Sequence, residues 1–212
     1  GLLVVAVDDR AEQQRPEYAD DRGQQRQRRI AVQVVVEPEP RQLRLEGTFD
    51  RVVSIEMIEA VGYEYFDTFF LLCSERLKDD GLMCLQAITM GDQVFDRYRR
   101  SYDFIRSHVF PGSCLTSLAA VSASVARVTD LRLVHLEDIT PHYVKTLQHW
   151  REEFFANLDQ VRALGYSDTF IRMWEFYLCY CEGGFAEHYI GDVQLVLSKP
   201  QCRISPMLPW SS

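Results

Sequence analysis

The stretch Val52-Val53-Ser54-Ile55-Glu56-Met57-Ile58-Glu59-Ala60-Val61-Gly62 constrains the fold more than any other. A β-rich run from Phe49 to Ile55 stops at two carboxylates, passes into a helical start and closes on a glycine. This is the βα join that sets polar side chains at the carboxyl edge of a parallel sheet, where open α/β folds bind ligands. Read alone, Glu56 and Glu59 serve equally well as solvated loop acids or helix-start residues.

The following residues repeat the alternation. Tyr65 to Lys78 sets Phe66, Phe69, Phe70, Cys73 and Leu77 at helical spacing, with Asp79-Asp80-Gly81 as the turn that ends it. Leu82 to Ile88 is a continuous apolar run interrupted only by Gln86, the form of a strand buried on both faces. Asp96 to Phe110 predicts one amphipathic helix rich in arginine (Arg97, Arg99, Arg100, Arg106), which is either an ordinary surface helix or a contact for phospholipid head groups. Leu115 to Val125 predicts a small-residue helix, and Leu131 to Leu136 another strand. Leu147, Trp150, Phe154, Leu158, Val161 and Leu164 mark a helix capped by Gly165. Ser167-Asp168 starts a further helix through Phe185, and Asp192 to Ser198 is a last strand. Strands alternating with helices predict a three-layer α/β sandwich, with the helical pair at about 143–189 and the helix at 96–110 lying over the sheet edge as a lid.

Composition narrows the function classes. The chain has 212 residues and a formal net charge of −8, which opposes nucleic-acid binding. No apolar run approaches the roughly 20 residues that span a bilayer, and no signal peptide opens the chain, so a cytoplasmic protein is expected, with peripheral membrane contact left open. Six cysteines lack any CxxC pairing, and five histidines fall at no paired-ligand spacing, so no metal site is expected. Residues 1–45 stand apart: Asp9 to Arg29 is a run of Arg, Gln, Asp and Glu with almost no apolar face. The domain expected from this runs over 46–200, with 201–212 as a tail.

Several stretches resemble the family of cyclopropane-fatty-acyl-phospholipid synthases and mycolic acid cyclopropane synthases. They are Phe49 to Gly62; Leu85-Gln86-Ala87-Ile88-Thr89; Phe110-Pro111-Gly112-Ser113-Cys114-Leu115; Pro141-His142-Tyr143-Val144-Lys145-Thr146-Leu147; and Phe185-Ala186-Glu187 running into Ile190 to Leu195. They occur in the family's order over nearly all of 45–200. The resemblance implies a class I methyltransferase (Rossmann-like) fold, S-adenosylmethionine (SAM) as cofactor, and methyl transfer to the cis double bond of unsaturated phospholipid acyl chains. It also implies a bound bicarbonate ion as base, held by Glu59, Tyr143 and the backbone of Ile88. Gln86 stands where the family has a histidine; its amide donates a hydrogen bond but shuttles no proton, and ring, methyl-branched and methylene products all stay open. Ile55 and Glu56 fall on the cofactor side, Glu56 at a variable position. Ile58 replaces the family's aromatic residue.

By this matching the family's glycine-rich cofactor turn, and a cysteine near the bicarbonate, lie upstream of the chain. The N-terminal part of the fold is then missing, and residues 1–45 read as the product of a shifted reading frame. Two alternatives follow: an inactive fragment of such an enzyme, or a methyltransferase for another hydrophobic small molecule. Oligomeric state is not legible.

Overall fold

β1 (Phe49–Ile55) lies parallel to β2 (Leu77–Met90), as the βα join requires, with Val52 opposite Met83 and Ile55 opposite Gln86. The computed structural model describes residues 47–203. The stretch assigned to a shifted frame, and all but 201–203 of the expected tail, lie outside the described residues.

After β1 come a short α1 (Ile58–Val61), a single 3-10 turn and α2 (Phe66–Glu75). The predicted helical spacing of Phe66, Phe69, Phe70 and Cys73 is seen directly, and all four are buried. Side chains alternate across a strand, so Met83, Leu85 and Ala87 of β2 meet that apolar stripe. Val121 and Val125 of α4 (Leu118–Val128) complete the same core. Ser117 starts α4 by accepting the Ala120 N–H at 3.2 Å on its hydroxyl.

The sheet order is β1-β2-β4-β3, with β4 (Ile190–Ser198) antiparallel to both β2 and β3 (Arg132–Asp138). Between β3 and β4 the chain inserts α5 (Thr140–Ala156), α6 (Leu158–Ala163) and α7 (Asp168–Ala186). Leu147, Leu178 and Phe185 form a second apolar cluster there, against Ile88 and Ile190. Ile88 has the opposite parity to Leu85 and Ala87, so α5 and α7 cover the other face of the sheet at the carboxyl end of β2. Helices on both faces make the three layers expected.

Three expectations change. Asp79-Asp80-Gly81 is not a helix-ending turn but part of β2, which starts at Leu77 and is paired by the Lys199 N–H to Gly81 O and the Gln201 N–H to Asp79 O. The predicted helix over 96–110 is two pieces, α3 (Asp92–Tyr98) and a π-helical turn (Ile105–Val109). Asp103 accepts the Arg106 N–H at 2.8 Å and so begins a new turn instead of continuing the old one. The helix through Leu164 breaks at Asn157, whose side-chain amide donates to Glu153 O. Leu164 consequently stays 77% exposed, and Gly165 takes φ +91°, the left-handed geometry of a helix end.

Candidate active site

Glu56 is the first residue after β1 and adopts φ +47°, a left-handed conformation uncommon for a side chain with a Cβ. Its N–H donates to Gln86 O at 2.9 Å, which fixes the turn against β2. The carboxylate then points to where β1, β2, β4 and α5 meet. Gln86 Nε2 donates to Glu56 Oε1 at 2.8 Å, and the Tyr143 hydroxyl donates to Glu56 Oε2 at 2.8 Å.

The Gln86 amide is oriented from behind. Gln194 Nε2 donates to Gln86 Oε1 at 2.9 Å, so the NH2 group must face the acids, and its second hydrogen goes to Asp192 Oδ2 at 3.1 Å. An amide can bridge two carboxylates while its own oxygen is satisfied. Asp192 is 0% exposed; its N–H donates to the Thr140 hydroxyl at 3.0 Å.

Glu59 sits one helical turn further on and is 8% exposed. It accepts the Ile88 N–H on Oε1 at 2.6 Å, while Oε2 has no hydrogen-bond partner among the described residues, nor has Asp192 Oδ1. Burial pushes the Glu59 carboxyl up to about 7 against the backbone hydrogen bonds that favour its charge. Asp192 is likewise raised to about 7, first by burial and then by the charges of Glu56 and Glu59. Burial, and then the neighbouring Glu56 charge, raises the Tyr143 phenol, which keeps it a hydrogen-bond donor.

Each residue singled out in the sequence thus has a place. Glu59, Ile88, Gln86 and Tyr143 converge, although they come from α1, two positions of β2, and α5. Glu56 joins them at the centre of the hydrogen bonds. Ile55 remains apart, its side chain 57% exposed at the carboxyl end of β1. Sequence reading missed Asp192 and Gln194, although the Gly191-Asp192-Val193-Gln194 stretch held the signal: two polar residues two positions apart in a strand, on one face.

The arginine segment is self-engaged. Arg106 is buried, and its guanidinium donates to Ser113 O at 2.8 Å, Tyr98 O at 3.1 Å and Ser101 O. Arg99 pairs with Asp96 at 2.8 Å and lies over the Tyr63 ring. Beside them Phe104 packs edge-on to Phe176 of α7 at 4.7 Å, and Phe110 to Tyr177 at 6.1 Å. This aromatic seam joins the π-helical turn to the lid helices. Among the described residues no helix is long and apolar enough to cross a membrane.

Solved proteins share this architecture. The mycolic acid cyclopropane synthase CmaA1, in a complex with SAH and CTAB, is 30% identical with a TM-score of 0.66 over 74% of this chain and 57% of its own. The cyclopropane synthase MmaA2 from Mycobacterium tuberculosis is 26% identical with a TM-score of 0.65 over 73% of this chain and 57% of its own. A mixed sheet in this order, with polar groups gathered at its carboxyl edge and helices on both faces, is that of a class I SAM-dependent methyltransferase. Residues 4–195 match the mycolic acid cyclopropane synthetase family, and the chain belongs to that family.

Among curated relatives, the tuberculostearic acid methyltransferase UfaA1 of Mycobacterium tuberculosis is 38% identical over 153 residues, 72% of this chain and 36% of the relative. The cyclopropane-fatty-acyl-phospholipid synthase of Escherichia coli strain K12 is 32% identical over 155 residues, 73% of this chain and 39% of the relative. The chain therefore spans well under half the length of either.

Proposed function

We propose that this chain forms the acyl-acceptor part of a SAM-dependent methyltransferase that modifies the cis double bond of unsaturated phospholipid acyl chains. The observation that supports this is the convergence of Glu56, Glu59, Asp192, Gln86 and Tyr143 at the sheet edge, beneath the apolar lid of α5 and α7. An alkene is a weak nucleophile, and the charge that develops when it is methylated is positive. Fixed carboxylates in a site shielded from water favour such a charge. The Tyr143 and Phe185 rings, 4.6 Å apart beside these acids, offer the apolar wall an acyl chain requires.

SAM, when bound, supplies an electrophilic sulfonium methyl group. Ile55 fits a place beside it: a large apolar side chain exposed at the carboxyl end of β1, where this class of fold takes its cofactor. Gln86 and Tyr143 hold the carboxylate of Glu56 in position, and Glu59 braces β2 through the Ile88 N–H. The exposed part of the aromatic seam, Phe110 and Phe176, is the surface for peripheral contact with the membrane that contains the lipid.

Bicarbonate does not fit these residues as they stand. Both hydrogens of Gln86 Nε2, the Tyr143 hydroxyl and the Ile88 N–H all go to protein carboxylates. An added anion would find those donors taken and three acids as neighbours.

The test is expression of the full-length gene in a bacterial host, followed by mass analysis of its lipids. Unsaturated chains are expected to gain one methylene unit. Unaltered lipids, with SAM binding intact in the purified protein, would point instead to a different hydrophobic acceptor. A cyclopropane ring and a methylene branch share this mass gain.

A further inference from the structure

We infer that the Glu56 carboxylate itself occupies the place of the bicarbonate and takes the proton released by the methylated acyl chain. The inference rests on the methyltransferase reading above and assigns the base within it.

The geometry supports this in three ways. First, both Glu56 oxygens are held by the side chains that the resemblance assigns to the ion and its histidine position: Oε1 by Gln86 at 2.8 Å and Oε2 by Tyr143 at 2.8 Å. Bicarbonate and a carboxylate side chain present the same planar pair of oxygens, so one set of donors serves either but not both. Second, Gln86 can relay no proton, and Gln194 locks its amide so that it only donates toward Glu56 and Asp192. A base must then come from a neighbouring carboxylate. Third, Glu56 stands at φ +47°, a conformation with a backbone cost that persists because the β2 pairing and the two donors over-determine it. Such strain at a sheet edge aims the side chain inward, whereas a relaxed backbone would release it.

The step balances without another reactant. The S–CH3 bond of the sulfonium breaks as its carbon bonds to one alkene carbon, and the neighbouring carbon becomes positive. A C–H bond of the transferred methyl then gives its proton to a Glu56 oxygen. The C–H electron pair closes the ring, or, after a hydride shift, forms a methylene double bond. The products are the thioether, the modified chain and protonated Glu56, which returns its proton to water when the lid opens. Gln86 and Tyr143 are positioning residues in this step.

The experiment uses the full-length enzyme with oleoyl phospholipid vesicles and methyl-labelled SAM, in buffer freed of carbon dioxide and in the same buffer with added bicarbonate. Wild-type turnover is expected to be the same in both. Glu56→Gln, which keeps the shape and loses the base, is expected to lower kcat by about 100-fold or more with lipid KM little changed. Glu56→Gly suits the left-handed backbone and empties the space. It is expected to be inactive alone, to regain turnover with bicarbonate, and to broaden the 13C resonance of labelled bicarbonate, which the wild type does not. A wild type that needs bicarbonate or broadens its resonance overturns the inference while leaving the methyltransferase reading intact, as does Glu56→Gln at near wild-type kcat. A wild type that binds SAM but transfers no methyl to lipid overturns the function reading, and the inference with it.

Discussion

Glu59 is buried with one oxygen unpaired, and its carboxyl is raised to about 7. The folded protein therefore holds a proton that the unfolded chain releases from about pH 4.5 upward. The cost of this buried charge is absent below that range, grows as pH rises, and is complete above about pH 7, where it is on the order of 3 kcal/mol. Glu59→Gln keeps an acceptor for the Ile88 N–H and removes the charge. In urea unfolding it should be more stable than the wild type at pH 8, by up to a few kcal/mol, with the gain vanishing below about pH 4. Parallel stability curves would show that Glu59 does not titrate in this window. Asp192 is raised in the same sense and should leave the variant a residual slope, and Glu56, the third charge facing the pair, adds to both shifts. At this scale the sequence was informative about which residues and silent about their partners. Glu59, Gln86, Ile88 and Tyr143 were legible through resemblance. That Glu56 is the residue they surround depends on a left-handed turn, and Asp192 on an antiparallel pairing 106 residues away.

Elements followed from periodicity where apolar spacing was regular, and failed where side chains bonded to their own backbone. α2, α7 and β1 appear close to where their patterns put them, because each buries one continuous stripe. Asn157 ended a helix that the apolar spacing would have continued, and Asp103 started a separate turn where one helix was expected. Gly81 was misjudged for a related reason: Gly is a turn residue by habit, yet here it lets β2 pass the start of its own strand. A Cβ at Gly81 would lie 2.8 Å from Leu77 Cδ2 and 2.9 Å from Lys78 O. The carbonyl belongs to the backbone and cannot swing away. Gly81→Ala should therefore destabilise the fold by about 1–3 kcal/mol, measured as a lowered urea midpoint. An unchanged midpoint would mean that the backbone from Leu77 to Gly81 does not hold the close approach described.

The whole molecule divides its apolar contacts unequally. Among the described residues, seventeen buried ones hold the sheet to α2 and α4, whereas three hold α5 to α7 and to the far face of the sheet. Regions with few buried contacts open at lower free energy than the global core. Hydrogen exchange should therefore find the amides of α5 and α7 exchanging well before those of β2 and β4 in the absence of lipid and cofactor, with Tyr143 released from Glu56 in the open form. Simultaneous exchange of both groups would remove the lid as a separate unit. The sequence by itself determined the alternation of strands and helices, the apolar stripes that face the sheet, and the family to which the chain belongs, since all of these are local patterns or matched order. Tertiary structure alone decided the strand order, the pairing of β4 between β2 and β3, and the docking of α5 over the carboxyl edge. Those are long-range contacts, and only they bring Tyr143, Asp192 and Gln86 around one carboxylate.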